Sequence, residues 1–257
     1  MFQEGVQAHF DAAHYKLPIT EIFSSIQGEG PYVGVRQIFL RLPNCNLTCP
    51  YCDTETKAPQ QFRLEKAAGS RHFNKLNNPV SLDKLLDLLL LAYNFSLHHS
   101  LSVTGGEPLL WANELQVLLP LLKENGLKIY LETNGTLPDQ LLQVLPFVDI
   151  ISMDIKLPFG GQVFWDVHES FLRCGLAKEV FVKIVVHRET TLKDLQNACN
   201  LIAGIDSSIV TILQPVTQTQ GIITPRSDQL LEWQSLLLEK LKNVRVIPQT
   251  HVFMGQL

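Results

Sequence analysis

From residue 36 onward the chain alternates short β-branched or apolar runs with longer amphipathic stretches, and few arrangements besides a parallel sheet with crossover helices accommodate that alternation. The runs predict strands near Gln37–Leu42, Leu101–Thr104, Lys128–Glu132, Ile150–Met153, Val180–Val186 and Val210–Leu213. The amphipathic stretches predict helices near Leu82–Tyr93, Ala112–Asn125, Leu137–Leu145, Gln162–Cys174, Leu192–Ala203 and Ser227–Lys242. Six βα units approach a TIM barrel without completing it, so the α/β class expected is a partial, TIM-like (β/α)6 barrel. A length of 257 residues suits one such domain over 1–257. The segment Ala58–Pro79 is polar, Asn-rich and basic, and reads as an insertion or mobile loop.

Charge narrows the function classes. A formal net charge of -4 leaves no extended basic surface, so nucleic acid is not an expected partner. No apolar h-region precedes Phe23, and the most apolar run, Leu85–Ala92, contains Asp87 and is too short to span a bilayer. A cytoplasmic protein without a membrane partner is the expectation.

In a barrel of this kind the chemistry sits at the C-terminal ends of the strands. There the chain places Thr104-Gly105-Gly106-Glu107-Pro108, Glu132-Thr133-Asn134-Gly135-Thr136, Ser152-Met153-Asp154-Ile155-Lys156 and Gln214-Pro215. After the first strand come Cys45, Cys49 and Cys52, spaced C-x3-C-x2-C. Thiolates at this spacing can turn toward one point and select zinc or iron-sulfur chemistry. Three ligands, where a closed zinc site or a cubane cluster usually takes four, leave one metal position for something outside this loop. The other two of the five cysteines, Cys174 and Cys199, fall in helical patterns as core residues.

The cysteine motif, with an aromatic before its last cysteine and GGEP at the end of the next strand, resembles the radical S-adenosylmethionine (SAM) superfamily. That resemblance implies a [4Fe-4S] cluster on Cys45, Cys49 and Cys52. SAM would chelate its fourth iron and be cleaved reductively to a 5'-deoxyadenosyl radical. It also implies SAM contacts from Tyr51, Cys52, Asp53, Gly106, Glu107, Thr133, Asn134, Ser152, Asp154, Lys156, Gln214 and Pro215. Physically, Gly105 and Gly106 admit close backbone approach and Glu107 can accept from an ammonium group. Thr133 and Asn134 suit a ribose or a carboxylate, or simply a turn at Asn134-Gly135. Asp154 and Lys156 share one face of a strand end, where an ordinary salt bridge is the alternative.

The segment Glu21-Ile22-Phe23-Ser24-Ser25-Ile26-Gln27-Gly28-Glu29-Gly30, with Ile38-Phe39-Leu40-Arg41-Leu42 before the cysteines, is similar to the 7-carboxy-7-deazaguanine synthase family within that superfamily. This likeness implies ring contraction of 6-carboxy-5,6,7,8-tetrahydropterin with loss of ammonia, on the queuosine and 7-deazapurine route. Substrate contacts would come from Ile26, Gln27, Gly28, Arg41, Thr104, His251 and the carboxylate of Leu257. Arg41 suits a bidentate grip on the substrate carboxylate. Thr54 would ligate Mg2+, with the substrate and waters completing an oxygen shell. A flavodoxin-like external electron donor and a homodimer are implied in the same way. Ser152-Met153-Asp154-Ile155-Lys156 also approaches the aspartate-x-lysine element of glycyl-radical activating enzymes, which act on a partner polypeptide. A zinc-binding interaction module is a third, non-enzymatic reading.

Overall fold

The computed structural model describes residues 12–49, 52, 57–158, 162–217 and 222–256. Its strands are β1 (Lys16–Leu17), β2 (Glu21–Ile26), β3 (Arg36–Leu42), β4 (Gln61–Glu65), β5 (Phe73–Asn77), β6 (Val80–Ser81), β7 (Ser100–Gly105), β8 (Ile129–Thr133), β9 (Ile150–Ile155), β10 (Glu179–Val186), β11 (Thr211–Pro215) and β12 (Val244–Val246). The helices are α1 (Leu82–Ala92), α2 (Ala112–Glu124), α3 (Pro138–Val144), α4 (Trp165–Gly175), α5 (Leu192–Ile205), α6 (Ser227–Leu238) and α7 (Thr250–Phe253).

Ten strands form one sheet in the order β12-β11-β10-β9-β8-β7-β3-β2-β4-β5. From β3 through β12 every neighbouring pair is parallel, as the expected βα alternation requires. The six expected units are present, from β3 with α1 to β11 with α6, and the sheet order does not close into a ring. Residues from β3, β7, β8, β9, β10 and β11 nevertheless line one cavity, so the sheet curls into a partial barrel.

Burial explains why the strands read as they do. Alternate side chains of β3, β7, β8 and β9, among them Leu40, Val103, Leu131 and Met153, pack outward against the helices in one core. The opposite faces carry the unusual residues. Tyr130, Ile150, Phe181 and Ile212 form a second cluster with Tyr32, which packs edge-on against Tyr130 at 5.7 Å between ring centroids. Helix ends follow ordinary capping chemistry. The Thr191 hydroxyl accepts from Asp194 N at the start of α5, and α2 carries Glu114 in its first turn and Lys123 in its last.

Two expectations are corrected here. Of the two readings of Ala58–Pro79, an insertion or a mobile loop, the second gives way: β4 and β5 pair as an antiparallel hairpin, and β4 joins the main sheet beside β2. Phe62 and Leu64 alternate with polar residues and bury against the core, which drives the pairing. Second, the motif segment Glu21–Ile26 forms an interior strand, β2, antiparallel to β3 with Phe23 opposite Phe39. Its buried Glu21, Ser24 and Ser25 remove the apolar alternation by which a strand is usually recognised.

Candidate active site

The strand ends open into a cavity of about 430 Å³. Its walls carry Cys45, Cys49 and Cys52 from the loop after β3, and Ile26, Gln27 and Gly28 from the end of β2. Arg41, Thr104, Gly106, Thr133, Asn134, Asp154, Lys156, Gln214 and His251 complete the set of predicted residues it gathers. Tyr51, Asp53, Thr54 and Leu257 lie outside the described residues.

The three thiols share this wall, with Cys52 N donating to Cys49 O at 3.1 Å. Asn134 Nδ2 reaches Cys45 Sγ at 3.8 Å and donates to Asn46 Oδ1 at 2.8 Å, while Asn46 Nδ2 donates to Thr136 Oγ1 at 2.9 Å. The cysteine loop is thus pinned to the end of β8. Burial raises the Cys45 and Cys49 thiols above their ordinary value, although Lys156 favours the Cys49 thiolate. Among the described residues, no three His, Cys, Asp or Glu side chains are already drawn together as a metal site. The donor set itself, three soft thiols on one concave wall, fits an iron-sulfur cluster with an open position.

Several predicted contacts sit elsewhere than expected. Glu107, Ser152 and Pro215 do not line the cavity. Glu107 is fully buried and accepts from Thr133 Oγ1 at 2.8 Å, Leu109 N at 3.1 Å and Asn134 N at 2.7 Å. These bonds brace the β8 end. Burial pushes the Glu107 carboxyl up to about 7 against those hydrogen bonds. Ser152 is buried. Gly105 and Gly106 do line the cavity, but what demands glycine is the protein. A Cβ on Gly105 would lie 2.0 Å from Leu42 O, and one on Gly106 would lie 1.8 Å from Asn44 O.

The floor is a polar network that sequence reasoning left unassigned. Glu132 accepts from Gln27 Nε2 at 3.0 Å, Ser102 Oγ at 3.0 Å and Thr104 Oγ1 at 2.8 Å. Gln27 is buried, also donating to Gln37 Oε1 at 2.9 Å and accepting from Glu29 N at 2.9 Å. Lys183 lies between Glu29 and Asp154. Burial alone would lower its pKa, but Asp154 and Glu29 outweigh that and hold it charged. Asp154 likewise resists burial through Lys156 and Lys183 and falls to about 2. The signal for Lys183 is visible in the chain: it is the one charged residue in the apolar run Val180–Val186.

The C-terminal segment covers the site. Thr250 donates to Gly28 O through its backbone N at 2.9 Å and its hydroxyl at 3.1 Å, Gln249 Nε2 donates to Glu29 Oε1 at 3.0 Å, and Ser25 Oγ donates to Gln256 Oε1 at 3.1 Å. Gly28 is required at this contact, since a Cβ there would stand 2.4 Å from His251 Nδ1.

Residues 40–158 match the model of the radical SAM superfamily. Over 244 residues the chain is 45% identical to the 7-carboxy-7-deazaguanine synthase of Geobacter sulfurreducens, covering 93% of this chain and 97% of that one. The chain belongs to the 7-carboxy-7-deazaguanine synthase family. The synthase of Methanocaldococcus jannaschii is 33% identical over 256 residues, covering 93% of this chain and all of its own. The crystal structure of QueE from Escherichia coli superposes with a TM-score of 0.66 at 25% identity, covering 93% of this chain and 96% of that one. Membership makes this chain a radical SAM enzyme and implies a [4Fe-4S] cluster and SAM. Among the described residues, no helix is long and apolar enough to cross a membrane.

Proposed function

We propose that the chain converts 6-carboxy-5,6,7,8-tetrahydropterin to 7-carboxy-7-deazaguanine with loss of ammonia. The observation that carries this reading is one small cavity joining three thiols, a guanidinium and a polar floor under a docked C-terminal segment. The identity to the synthases favours this reading over a protein-activating enzyme.

Cys45, Cys49 and Cys52 would hold the cluster, which with SAM would supply the hydrogen-abstracting chemistry directed at C6 of the pterin. What the chain's own residues contribute is placement. Arg41 pairs with the substrate carboxylate. Gln27, Thr104 and His251 meet the pterin edge, with Gln27 and Thr104 held rigid by their bonds to Glu132. The backbone at Ile26 and Gly28 completes the substrate wall, and the family resemblance adds the carboxylate of Leu257 as a substrate contact. Gly106, Thr133, Asn134, Asp154, Lys156 and Gln214 contact SAM, and the family resemblance adds Tyr51 and Asp53 to them. The segment from Gln249 to Gln256 excludes water from the radical.

Mg2+ on Thr54 and the substrate carboxylate, a flavodoxin-like electron donor, a homodimer and a cytoplasmic setting belong to the same proposal. The family resemblance supports the first three, and five free cysteines support a reducing compartment. Anaerobically reconstituted protein given SAM, reductant and the carboxytetrahydropterin should form 7-carboxy-7-deazaguanine. An intact cluster with no product would overturn the assignment, and zinc without sulfide in the purified protein would favour the interaction module.

A further inference from the structure

The hairpin that interrupts the βα alternation reaches the cavity through one row of charges. On three adjacent strands, Arg41 of β3, Glu21 of β2 and Arg63 of β4 occupy the same level, Glu21 directly opposite both arginines in register. Arg41 Nε donates to Glu21 Oε1 at 2.9 Å, and Arg63 Nη2 donates to Glu21 Oε2. Each guanidinium also lies over a ring, Arg41 over Phe23 at 5.7 Å and Arg63 over Phe73 of β5 at 5.2 Å. Glu21 at the centre of the row is the least exposed, its side chain 7% exposed against 23% at Arg41 and 51% at Arg63.

Charge balance gives this row its consequence. Elsewhere on the cavity wall, three carboxylates (Glu29, Glu132 and Asp154) face two ammonium groups (Lys156 and Lys183), a net repulsion toward an anionic ligand. Arg41 with Glu21 alone would be a neutral pair, and Glu21 would compete with any incoming carboxylate for the guanidinium. Arg63 occupies the second oxygen of Glu21 and returns the row to one positive charge in excess. Because Nε of Arg41 is committed to Glu21, its two terminal nitrogens form the fork that remains for a ligand.

We propose that Arg63 and Glu21 are positioning residues for carboxylate recognition, and that the β4–β5 hairpin makes Arg41 available to the substrate's carboxylate. This rests on the pterin reading above. Its test compares the wild type with Arg63→Gln and Arg63→Lys for turnover of the carboxytetrahydropterin and for competitive inhibition by 6-unsubstituted tetrahydropterin, which lacks the carboxylate. Arg63→Gln should raise KM about fivefold, less at high salt because Arg63 is half exposed, with kcat and the inhibition constant unchanged. Arg63→Lys should recover most of the loss. Equal rises in KM and in the inhibition constant would make the hairpin a mere scaffold and overturn the proposal, as would an unchanged KM. A wild type that makes no product would instead defeat the pterin reading itself.

Discussion

Glu107 shows how a residue recognisable by motif takes its role from its surroundings. The sequence offers a carboxylate beside two glycines at a strand end; the fold buries it and gives each oxygen a donor from the β8 end or its own turn. Its folded pKa of about 7 lies above the ordinary carboxylate value of 4.5. Its contribution to stability is therefore full below about pH 4.5 and is lost as pH rises through about 7. Urea unfolding of wild type and Glu107→Gln should show a gap of about 1–3 kcal/mol at the acidic end that narrows toward pH 8. A gap that widens with pH would contradict this account. Asn134 was legible as a turn residue, and so it is, since its Oδ1 accepts from Thr136 N at 3.1 Å. Its grip on the cysteine loop through Asn46 was not legible, because the two lie 88 positions apart.

At the scale of elements, the six βα units were readable because each buries two apolar faces of its own, and periodicity reports that locally. Periodicity is weaker where the inward face is polar or the strand is short: β2 turns Glu21 and Ser25 to the site side, β12 has three residues at the sheet edge, and the β4–β5 hairpin is mostly polar. The helix α7 depends even more on distant contact. It buries none of its four residues fully, and its anchor at Gly28 spans 222 positions. A Gly28→Ala substitution places a methyl group 2.5 Å from His251 N and must displace α7. We expect kcat/KM to fall about 10- to 100-fold with little change in Tm, because the core is untouched. Steady-state kinetics beside a thermal melt checks this, and kcat/KM within about twofold of wild type would refute it.

Over the whole molecule, an incomplete barrel leaves its thiols and its polar floor on one side of an open sheet, and a bound ligand should add stability that the sheet does not supply. In reconstituted protein, saturating SAM should raise Tm by several degrees, by mass action on the folded state alone. Cys49→Ala, which removes one of three thiols, should abolish that shift and the brown absorbance together; a persistent SAM shift would place the ligand elsewhere. By itself the sequence determined the parallel βα order, the rim on which the chemistry lies, and an open three-thiol site, since all of these are written in spacings of a few residues. Tertiary structure decided that Gly105 and Gly106 serve β3 and the loop after it, that Glu107 braces the β8 end, and that Lys183 and Glu132 build the floor. It also placed Arg63, from a segment expected to be an insertion or mobile loop, behind Arg41. Register across neighbouring strands and the curl of the sheet set those meetings, and neither is encoded in the periodicity of any one segment.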